Sequence, residues 1–449
     1  MQRRLYLTAI LIVHFAFSTM VSAQHTMSMP MNQHEICKPL SYRPSPARML
    51  ETNRMLDKIN GSPVKMTGDR YWRMRQAMDG YNASHVPLVS LDHGEFSAAG
   101  CSDDPGIFMT VPVLMRSFHL PFPVVLAGLL VVFPAISFLF GMILILQTLH
   151  GTWPMVFCIS GFLALAGLCW WIGDIYPLQA AAVMITIPWL LRMQQWQKMG
   201  LLHYVSFFFM GTVAGGIQLF RSHAGDAIAL FVAVFLWLHP SPTRRVKVVA
   251  LIVLLVGLII PRIVLNKTIT TRDSFLESKG GYYEKGSTGH GFWHAIHTGL
   301  GFVQNPYVPT VLDEVSAEKA AMIAPDVVYY SQAYENVLRQ ETLDIVLHHP
   351  WILIENVAVK ALLTGLQILV FGNIGLFAAF RQRQPIWITI PFWLAIGYSS
   401  LFGLIVKPFP HYLLGMAAFV FLYSIISLDK YFQNEDRRIK DGQPVASDH

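Results

Sequence analysis

Successive apolar runs are the feature that most constrains how this chain can fold. One begins at Leu5, and nine more follow between residues 121 and 428; several approach or exceed the roughly 20 residues that a helix needs to cross a bilayer. Only 13 % of the residues are charged, against roughly 25 % in typical soluble domains. We therefore predict an all-α polytopic membrane protein with about ten transmembrane helices.

The ten predicted spans form an isolated first run and two later groups. The later spans cover residues 121–148, 154–173, 177–192, 201–220, 225–239, 246–265, 351–377, 386–405 and 409–428. The first run ends in Val21-Ser22-Ala23, a small-residue pattern that a signal peptidase could cut. It is either a retained helix or a signal peptide, and in both cases residue 24 emerges on the far side of the membrane.

These runs divide the chain into six segments. They are a first transmembrane helix or signal peptide (1–23), a first polar loop (24–119), transmembrane helices 2–7 (120–265), a second polar loop (266–349), transmembrane helices 8–10 (350–428) and a tail (429–449). We detect no internal repeat, and repeated halves are typical of many transporters.

Lys and Arg are concentrated in alternate connections between the spans. With a cytoplasmic N-terminus, the inner segments contain Arg3, Arg4, Arg192, Lys198, Arg244, Arg245, Lys247, Arg381, Arg383, Lys430, Arg437, Arg438 and Lys440. This bias follows the positive-inside rule, so both chain ends are predicted in the cytoplasm and both polar loops outside. Because it also accounts for the net charge of +6, we expect membrane lipids and not nucleic acid as partners.

Carboxylates are dense between Gly68 and Gly106 in the first polar loop. The stretch contains Asp69, Asp79, Asp92, Glu95, Asp103 and Asp104. Apolar spacing predicts helices over Ala47–Asn60 and Arg70–Tyr81, which places Asp69 where a helix N-cap is expected. Asp69 therefore has two interpretations, as a helix cap and as a functional carboxylate.

Two of the four cysteines, Cys37 and Cys101, lie in the first polar loop. Outside the cytoplasm they could form a disulfide. The other two, Cys158 and Cys169, share one predicted helix and lie about 16 Å apart along it. They cannot bond to each other, and we interpret them as packing residues.

The second polar loop is rich in aromatic side chains, His and Asn. His290, His294 and His297 recur at helical spacing, and Asn305 and Tyr307 follow them. A metal site is one interpretation of the histidines. The glycines around them argue against a long regular helix, however, and no Cys is near, so a metal is not expected. Sugar stacking with hydroxyl hydrogen bonding, and anchoring at the membrane interface, remain as alternatives. A helix on the membrane surface is predicted over residues 326–347.

Four basic or titratable residues lie near the predicted outer ends of the spans. They are Arg262, Lys360, Lys407 and His411. Together they could surround a lipid phosphate, and the alternative for each is snorkelling toward the headgroups. A charge at the bilayer centre costs roughly 2.5–3.5 kcal/mol on insertion scales. Charges placed at the outer ends therefore favour a site at the outer surface over a path through the membrane.

The arrangement resembles the GT-C integral-membrane glycosyltransferases, of the protein O-mannosyltransferase and lipid A aminoarabinose transferase type. The residues that carry the likeness are Gly68-Asp69-Arg70-Tyr71-Trp72, Asp103-Asp104-Pro105-Gly106, Trp293-His294, Gly299-Leu300-Gly301-Phe302, Asn305-Pro306-Tyr307, Tyr334-Glu335, His349-Pro350 and His411-Tyr412-Leu413-Leu414. The order of one span, a long outer loop, many spans and a second outer loop is similar as well. The chain departs from the family where Asp69-Arg70 replaces the usual Asp-Glu pair.

The resemblance implies that a sugar is transferred from a polyprenyl-phosphate donor to an acceptor at the outer face of the membrane. The membrane would be the inner membrane of a bacterium, and the acceptor a protein, lipid or glycan. Asp69 is the first candidate for the general base and Asp104 the second, with Asp103 beside it in the substrate site. The other implied substrate-binding residues are His290, His294, Asn305, Tyr307, Arg262, Lys360, Lys407 and His411. No cofactor beyond the lipid-linked sugar is implied.

Two other functions are compatible with the sequence. An O-antigen polymerase or ligase also spans the membrane many times with a large outer loop, and would depend on Arg and His of the later loop. A transporter or a non-catalytic assembly protein is the alternative from another class. A glycosyltransferase would depend on an Asp of the first polar loop, whereas a polymerase or ligase would depend on Arg and His of the second.

Overall fold

The computed structural model describes residues 64, 66, 68–92, 94–99, 104–193, 200–221, 223–281, 291–382 and 384–440. Its helices are α1 (Gly68–Ser84), α2 (Gly106–Phe118), α3 (Phe122–Ala127), α4 (Phe133–Leu146), α5 (Thr152–Ile172), α6 (Pro177–Arg192), α7 (Leu201–Phe220), α8 (Ala224–Leu238), α9 (Arg244–Lys279), α10 (Phe292–Leu300), α11 (Asp313–Ile323), α12 (Gln332–His348), α13 (Pro350–Arg381), α14 (Ile386–Ile405) and α15 (Leu414–Lys440). Two short strands, β1 (Val89–Asp92) and β2 (Glu95–Ala98), are the only strands in these ranges. The predicted all-α class is confirmed.

Seven helical segments in the described ranges are long and apolar enough to cross a membrane. They are Phe122–Leu146, Thr152–Ile172, Leu201–Phe220, Arg244–Lys279, Pro350–Arg381, Ile386–Ile405 and Pro410–Glu435. The predicted spans 177–192 and 225–239 correspond to α6 and α8, which are helices of 16 and 15 residues. The first predicted span lies outside the described residues. The structure thus supports an integral membrane protein, and the total of ten spans stays a prediction.

Helices α6 and α15 form the centre of the bundle. Nearly every residue of α6 is buried, because its run of alanines lets neighbouring helices approach closely. In the most apolar 18-residue stretch of Pro410–Glu435, 83 % of the residues are buried. In the corresponding stretch of Arg244–Lys279, 17 % are buried. Helix α9 therefore lies at the periphery with its apolar side chains exposed, as expected for contact with lipid.

Small residues set the packing of α7 against α9. A side-chain carbon added at Gly211 would lie 2.2 Å from the Leu254 carbonyl oxygen, and one at Gly215 would lie 2.3 Å from that of Leu258. Gly257 on α9 faces α7 in the same way. This is the close backbone approach that glycines four residues apart allow between membrane helices.

Helix α9 runs through the predicted boundary at residue 265. Its 36 residues correspond to about 54 Å, well beyond a hydrocarbon core of about 30 Å. The C-terminal extension packs on the strands of the first polar loop, where Phe275 meets Phe96 edge to face at 5.1 Å. Arg272 is fully buried here and donates to Asp273 at 2.6 Å. The two polar loops are thus joined through α9.

The described part of the first polar loop is a helix followed by a β-hairpin. Helix α1 confirms the helix predicted over Arg70–Tyr81, whereas the hairpin has no counterpart in the prediction. Strand β1 lies directly on α1, because a side-chain carbon at Gly80 would fall 2.2 Å from the Val89 carbonyl oxygen. The helix predicted over Ala47–Asn60 and the predicted Cys37–Cys101 disulfide lie outside the described residues.

Three helices, α10 to α12, follow α9 in the second polar loop. The nine-residue α10 shows that the surrounding glycines do not prevent a short helix at His294 and His297. Helix α12 overlaps the helix predicted over 326–347 but begins six residues later and ends one residue later. Ser331 caps it by accepting from the Tyr334 N–H at 3.1 Å. The Glu335 carboxylate of α12 accepts from the Trp293 N–H at 2.7 Å and the His294 N–H at 3.2 Å. One carboxylate therefore fixes the start of α10 on α12.

Candidate functional site

Charged and aromatic side chains meet where five parts of the chain converge. These parts are the start of α1, the residue two before α2, the turn between α5 and α6, the end of α7, and the segment between α14 and α15. We call this cluster the arginine–tyrosine site; its members are Arg70, Asp104, Asp174, Tyr176, Arg221, Lys407, His411 and Tyr412. It brings the first polar loop onto the ends of the apolar helices.

Arg70 and Asp174 form a buried ion pair in this site. The second carboxylate oxygen of Asp174 accepts from the Ile175 N–H at 2.8 Å. Asp174 has a φ of 59°, a left-handed conformation that Asp tolerates better than most residues. The pair fastens the first turn of α1 to the beginning of α6.

Arg221 lies opposite, with a second carboxylate beside it. Its Nη1 is 3.6 Å from the Asp104 Oδ2, and both side chains are almost completely buried. The guanidinium carbon lies 5.1 Å from the ring centre of Tyr176 and 5.0 Å from that of Tyr412. These distances are within the range of cation–π attraction.

Aromatic rings form the floor between the two arginines. His411 lies 4.6 Å from the ring of Tyr176 and 4.1 Å from that of Tyr412, and the Lys407 ammonium lies 5.7 Å from the Tyr412 ring. Burial raises the pKa of the Tyr176 phenol above its ordinary value, and Arg70 and Arg221 oppose this only in part. Tyr176 is therefore a neutral hydrogen-bond donor at physiological pH.

His223, just beyond α7, completes the surroundings of Arg221. Burial first, and then the neighbouring Arg221 charge, lower the pKa of its imidazole to about 3. The ring stacks on Phe402 at 4.5 Å. His223 is thus a neutral packing residue and adds no positive charge to the site at physiological pH.

An apolar cavity of about 390 Å³ opens beside Asp174. Its walls come mainly from α4, α5 and the π-helical turn Gly128–Val132, with Leu130, Phe138, Leu163 and Trp170 among the lining residues. Asp174 is the one charged residue that lines it in the described chain. The cavity has room for an apolar chain, and the Asp174 carboxylate at its wall is the one that pairs with Arg70.

A second polar cluster lies in the second polar loop. The His294 Nδ1 is 2.7 Å from the Tyr334 hydroxyl, and its Nε2 is 3.5 Å from the Asp313 Oδ1. The rings of Tyr329 and Tyr330 pack against the same imidazole.

The structure brings together three of the predicted site residues, Asp104, Lys407 and His411. Asp69 is the second residue of α1, next to Arg70 of the site, and its side chain lies outside the described part of the chain. Asp103 and His290 also lie outside it. His294 is buried in the second polar cluster, where its Nε2 lies 3.5 Å from the Asp313 Oδ1.

Asn305 and Tyr307 organise the loop between α10 and α11. The Asn305 amide donates to the carbonyls of Leu300 and Val303, and its oxygen accepts from the N–H groups of Tyr307 and Val308. The Tyr307 hydroxyl lies 2.6 Å from the His349 Nε2, and the two rings stack. These bonds give both residues a structural role in the loop.

Lys360 and Arg262 occupy different surroundings from the other predicted phosphate ligands. The buried Lys360 ammonium donates to the Gly299 carbonyl at 2.7 Å and to the Ile405 carbonyl at 3.1 Å. These carbonyls belong to the C-terminal turns of α10 and α14. A cation is favoured at such helix ends. Arg262 is exposed on the peripheral α9.

Arg70, Asp174 and Arg221 were not among the site residues predicted from the sequence. Their signal was present, because Gly173-Asp174-Ile175-Tyr176 places a charge and an aromatic ring at the end of an apolar run. Among the described residues, no group of three or more His, Cys, Asp or Glu is arranged to hold a metal ion.

No family model, curated protein or solved structure matches this chain.

Proposed function

We propose that this protein is a membrane glycosyltransferase that uses a polyprenyl-phosphate sugar as donor. The observation that carries the proposal is the apolar cavity lined by Asp174, whose carboxylate pairs with Arg70 in a site that also contains Arg221. A long apolar chain with an anionic head matches this combination. The GT-C resemblance adds the expectation that the head carries a sugar.

The phosphate would lie among Arg70, Arg221 and Lys407. Guanidinium groups bind phosphate oxygens in a planar, bidentate manner, and Lys adds a point charge. When the bond between the sugar and the phosphate breaks, negative charge grows on the leaving phosphate. The cations already in place would then stabilise the transition state.

A carboxylate would complete the reaction by accepting a proton. The acceptor hydroxyl or amine forms a bond to C1 of the sugar, the C1–O bond to the phosphate breaks with its electron pair, and the acceptor proton passes to the base. Asp104 lies in the site, with its Oδ2 3.6 Å from the Arg221 Nη1. Asp69 is the other candidate, because it directly precedes Arg70.

The proposed site faces the outside of the cell. The distribution of Lys and Arg places both polar loops on that side under the positive-inside rule, with ten spans and both ends inside. In a bacterium this is the periplasmic face of the inner membrane. The acceptor would be a protein, lipid or glycan that reaches this face.

The direct test is the lipid composition of cells that lack the gene. Lipids and surface glycans are extracted from the deletion strain, from the parent and from the strain complemented with the wild-type gene, and are compared by mass spectrometry. We expect a polyprenyl-phosphate sugar to accumulate in the deletion strain and to disappear on complementation. Unchanged lipids together with altered glycan length would contradict the proposal and favour a polymerase or ligase.

A further inference from the structure

The segment that joins α14 to α15 carries part of the arginine–tyrosine site. We call residues 405–413 the crossing segment; its members of the site are Lys407, His411 and Tyr412. Pro408 and Pro410 have no backbone N–H and cannot donate to a helical ladder. Residues 407–409 belong to no helix or strand. The position of this segment therefore depends on contacts with other elements.

Two carbonyls of the crossing segment accept hydrogen bonds from buried side chains of α13. The Lys360 ammonium donates to the Ile405 carbonyl at 3.1 Å, and the Gln367 amide donates to the Pro408 carbonyl at 2.7 Å. Lys360 is 2 % exposed and Gln367 is 3 % exposed. Burying such polar groups is costly unless they are hydrogen-bonded, so both bonds are needed where they are.

Lys407 lies between the two bonded carbonyls along the chain. Lys360 and Gln367 are separated on α13 by about two helical turns, or roughly 10 Å along the axis. They therefore lie on one face of the same helix. The half-buried Lys407 ammonium lies 5.7 Å from the centre of the Tyr412 ring. A bond on each side of Lys407 restricts the backbone from which this ammonium extends over Tyr412.

A third buried side chain holds the far end of the crossing segment. The Gln179 amide, in the first turn of α6, donates to the His411 carbonyl at 3.4 Å. Gly415 at the start of α15 packs on the same side chain, since a carbon added there would lie 3.6 Å from the Gln179 Cβ. Helix α6 begins directly after Tyr176. This bond thus joins the crossing segment to the part of the site that α6 carries.

We propose that Gln367 and Lys360 are positioning residues that hold Lys407 in place for the lipid phosphate. The inference rests on the proposed function, because the phosphate is the group that Lys407 would bind. Neither positioning side chain would touch the lipid, since both are buried against backbone carbonyls. A cation that is already ordered loses less conformational freedom on binding, which increases affinity. The effect of Gln367 on affinity would therefore pass through Lys407.

The test measures binding of radiolabelled polyprenyl phosphate to the purified full-length protein. The variants are Gln367→Met, Lys360→Met, Lys407→Ala and the double variant of Gln367→Met with Lys407→Ala. Methionine nearly retains the length of both buried side chains but cannot donate a hydrogen bond. Gln384→Met is the matched control, because the Gln384 amide also donates to a carbonyl, that of Ile426 at 3.3 Å, at the opposite end of α14.

We expect Gln367→Met to weaken binding by about three- to tenfold, at most the loss in Lys407→Ala, which is the scale of a bond to a charged group. The double variant should lose no more than Lys407→Ala alone, because changes that act through one group do not add. Lys360→Met should weaken binding as well. Gln384→Met should bind the lipid as the wild type does.

A second measurement needs no lipid. The rate at which an amine-reactive reagent modifies Lys407 is followed by mass spectrometry of its peptide. We expect Lys407 to react several-fold faster in Gln367→Met than in the wild type, because the released segment exposes the half-buried ammonium. The exposed Lys279 at the end of α9 should react at the same rate in both proteins.

Wild-type affinity in Gln367→Met would overturn the positioning role, and so would an unchanged rate of Lys407 modification. Losses that multiply in the double variant, or an equal loss in Gln384→Met, would also overturn it. If the wild-type protein binds no polyprenyl phosphate, the proposed glycosyltransferase function itself fails. That result is distinct from the others, because the reactivity of Lys407 is measured without lipid.

Discussion

Arg70 on α1 and Asp174 at the start of α6 are joined as a buried ion pair across 104 positions of sequence. This pair anchors the first polar loop on the ends of the apolar helices. Its carboxylate partner, Asp174, also lines the apolar cavity. The same contact therefore serves the stability of the fold and the position of the proposed phosphate site.

Removing one partner of this pair should destabilise the protein strongly. Arg70→Ala leaves the Asp174 charge buried without its cation, a change that typically costs about 3–5 kcal/mol. The thermal unfolding temperature of Arg70→Ala, measured in detergent, should be far below that of the wild type. The double change Arg70→Leu with Asp174→Asn should recover part of this stability, because Asn removes the buried charge and tolerates the left-handed conformation at this position. As control, Lys319→Ala breaks the partly exposed Lys319–Glu341 pair and should cost about 1 kcal/mol or less. Equal effects of Arg70→Ala and Lys319→Ala would contradict the buried pair.

The glycine packing between α7 and α9 gives a matched pair of variants. Gly215→Ala places a carbon 2.3 Å from the Leu258 carbonyl oxygen, whereas a carbon at Gly216 meets nothing within 4 Å. We expect Gly215→Ala to destabilise by about 1–3 kcal/mol through overpacking. Gly216→Ala should be neutral or slightly stabilising. Chemical denaturation of both variants checks this, and a larger loss at Gly216 would show that the two helices pack through another face.

Stability should fall in mild acid because of His297. Burial, followed by the charges of His294 and Lys319, lowers the pKa of this imidazole to about 4, below the roughly 6.5 of an unfolded chain. Between these values the unfolded state binds the proton and the folded state does not. Stability is then lost as pH falls through this window, at up to roughly 1.4 kcal/mol per pH unit.

His297→Gln should flatten this part of the stability profile between pH 6.5 and 4. Glutamine can still bond to Ser316, which lies 2.8 Å from the His297 Nδ1, but it does not titrate. His348→Gln is the control, because His348 is exposed and should leave the slope unchanged. An identical slope in wild type and His297→Gln would assign the acid sensitivity to other groups.

Lys407 should contribute to binding of the lipid phosphate. The half-buried ammonium lies over the ring of Tyr412 in the arginine–tyrosine site. We expect Lys407→Ala to weaken binding of polyprenyl phosphate about tenfold, as for a lost bond to a charged group, with little change in unfolding temperature. Arg262→Ala tests the other predicted phosphate ligand on the exposed side of α9. If Arg262→Ala weakened lipid binding and Lys407→Ala did not, the phosphate would bind near Arg262 and not beside Tyr412.

Most of the helices could be predicted from the sequence, because apolar runs in a membrane protein report directly where helices lie. Each predicted span after the first falls on a helix. The extension of α9 to Lys279 was not predictable in this way, since its last turns are polar and are stabilised by packing on the hairpin. The hairpin itself consists of strands of only four residues, too short to show a clear alternation.

The site was predicted less completely, since it depends on contacts between distant residues. Asp104, Lys407 and His411 were chosen from local patterns, but nothing local indicates that Arg70 meets Asp174 or that Arg221 meets Asp104. Lys360 shows the reverse case. A lysine near a helix mouth suggests a phosphate ligand, whereas the fold directs its ammonium to the carbonyls of two helix ends.

The most direct measurement of the proposed mechanism is the turnover of Asp104→Asn and Asp69→Asn. Asparagine retains the size of the side chain but cannot accept the proton. The structure places Asp69 inside α1 as its second residue and not at the predicted cap position. Each variant is expressed in the deletion strain, its amount in the membrane is checked, and the consumption of the accumulated polyprenyl-phosphate sugar is followed by mass spectrometry. We predict that one of the two variants reaches the membrane normally and loses a factor of about 10² or more in rate, the usual scale of general-base catalysis. Normal turnover in both variants would contradict the mechanism.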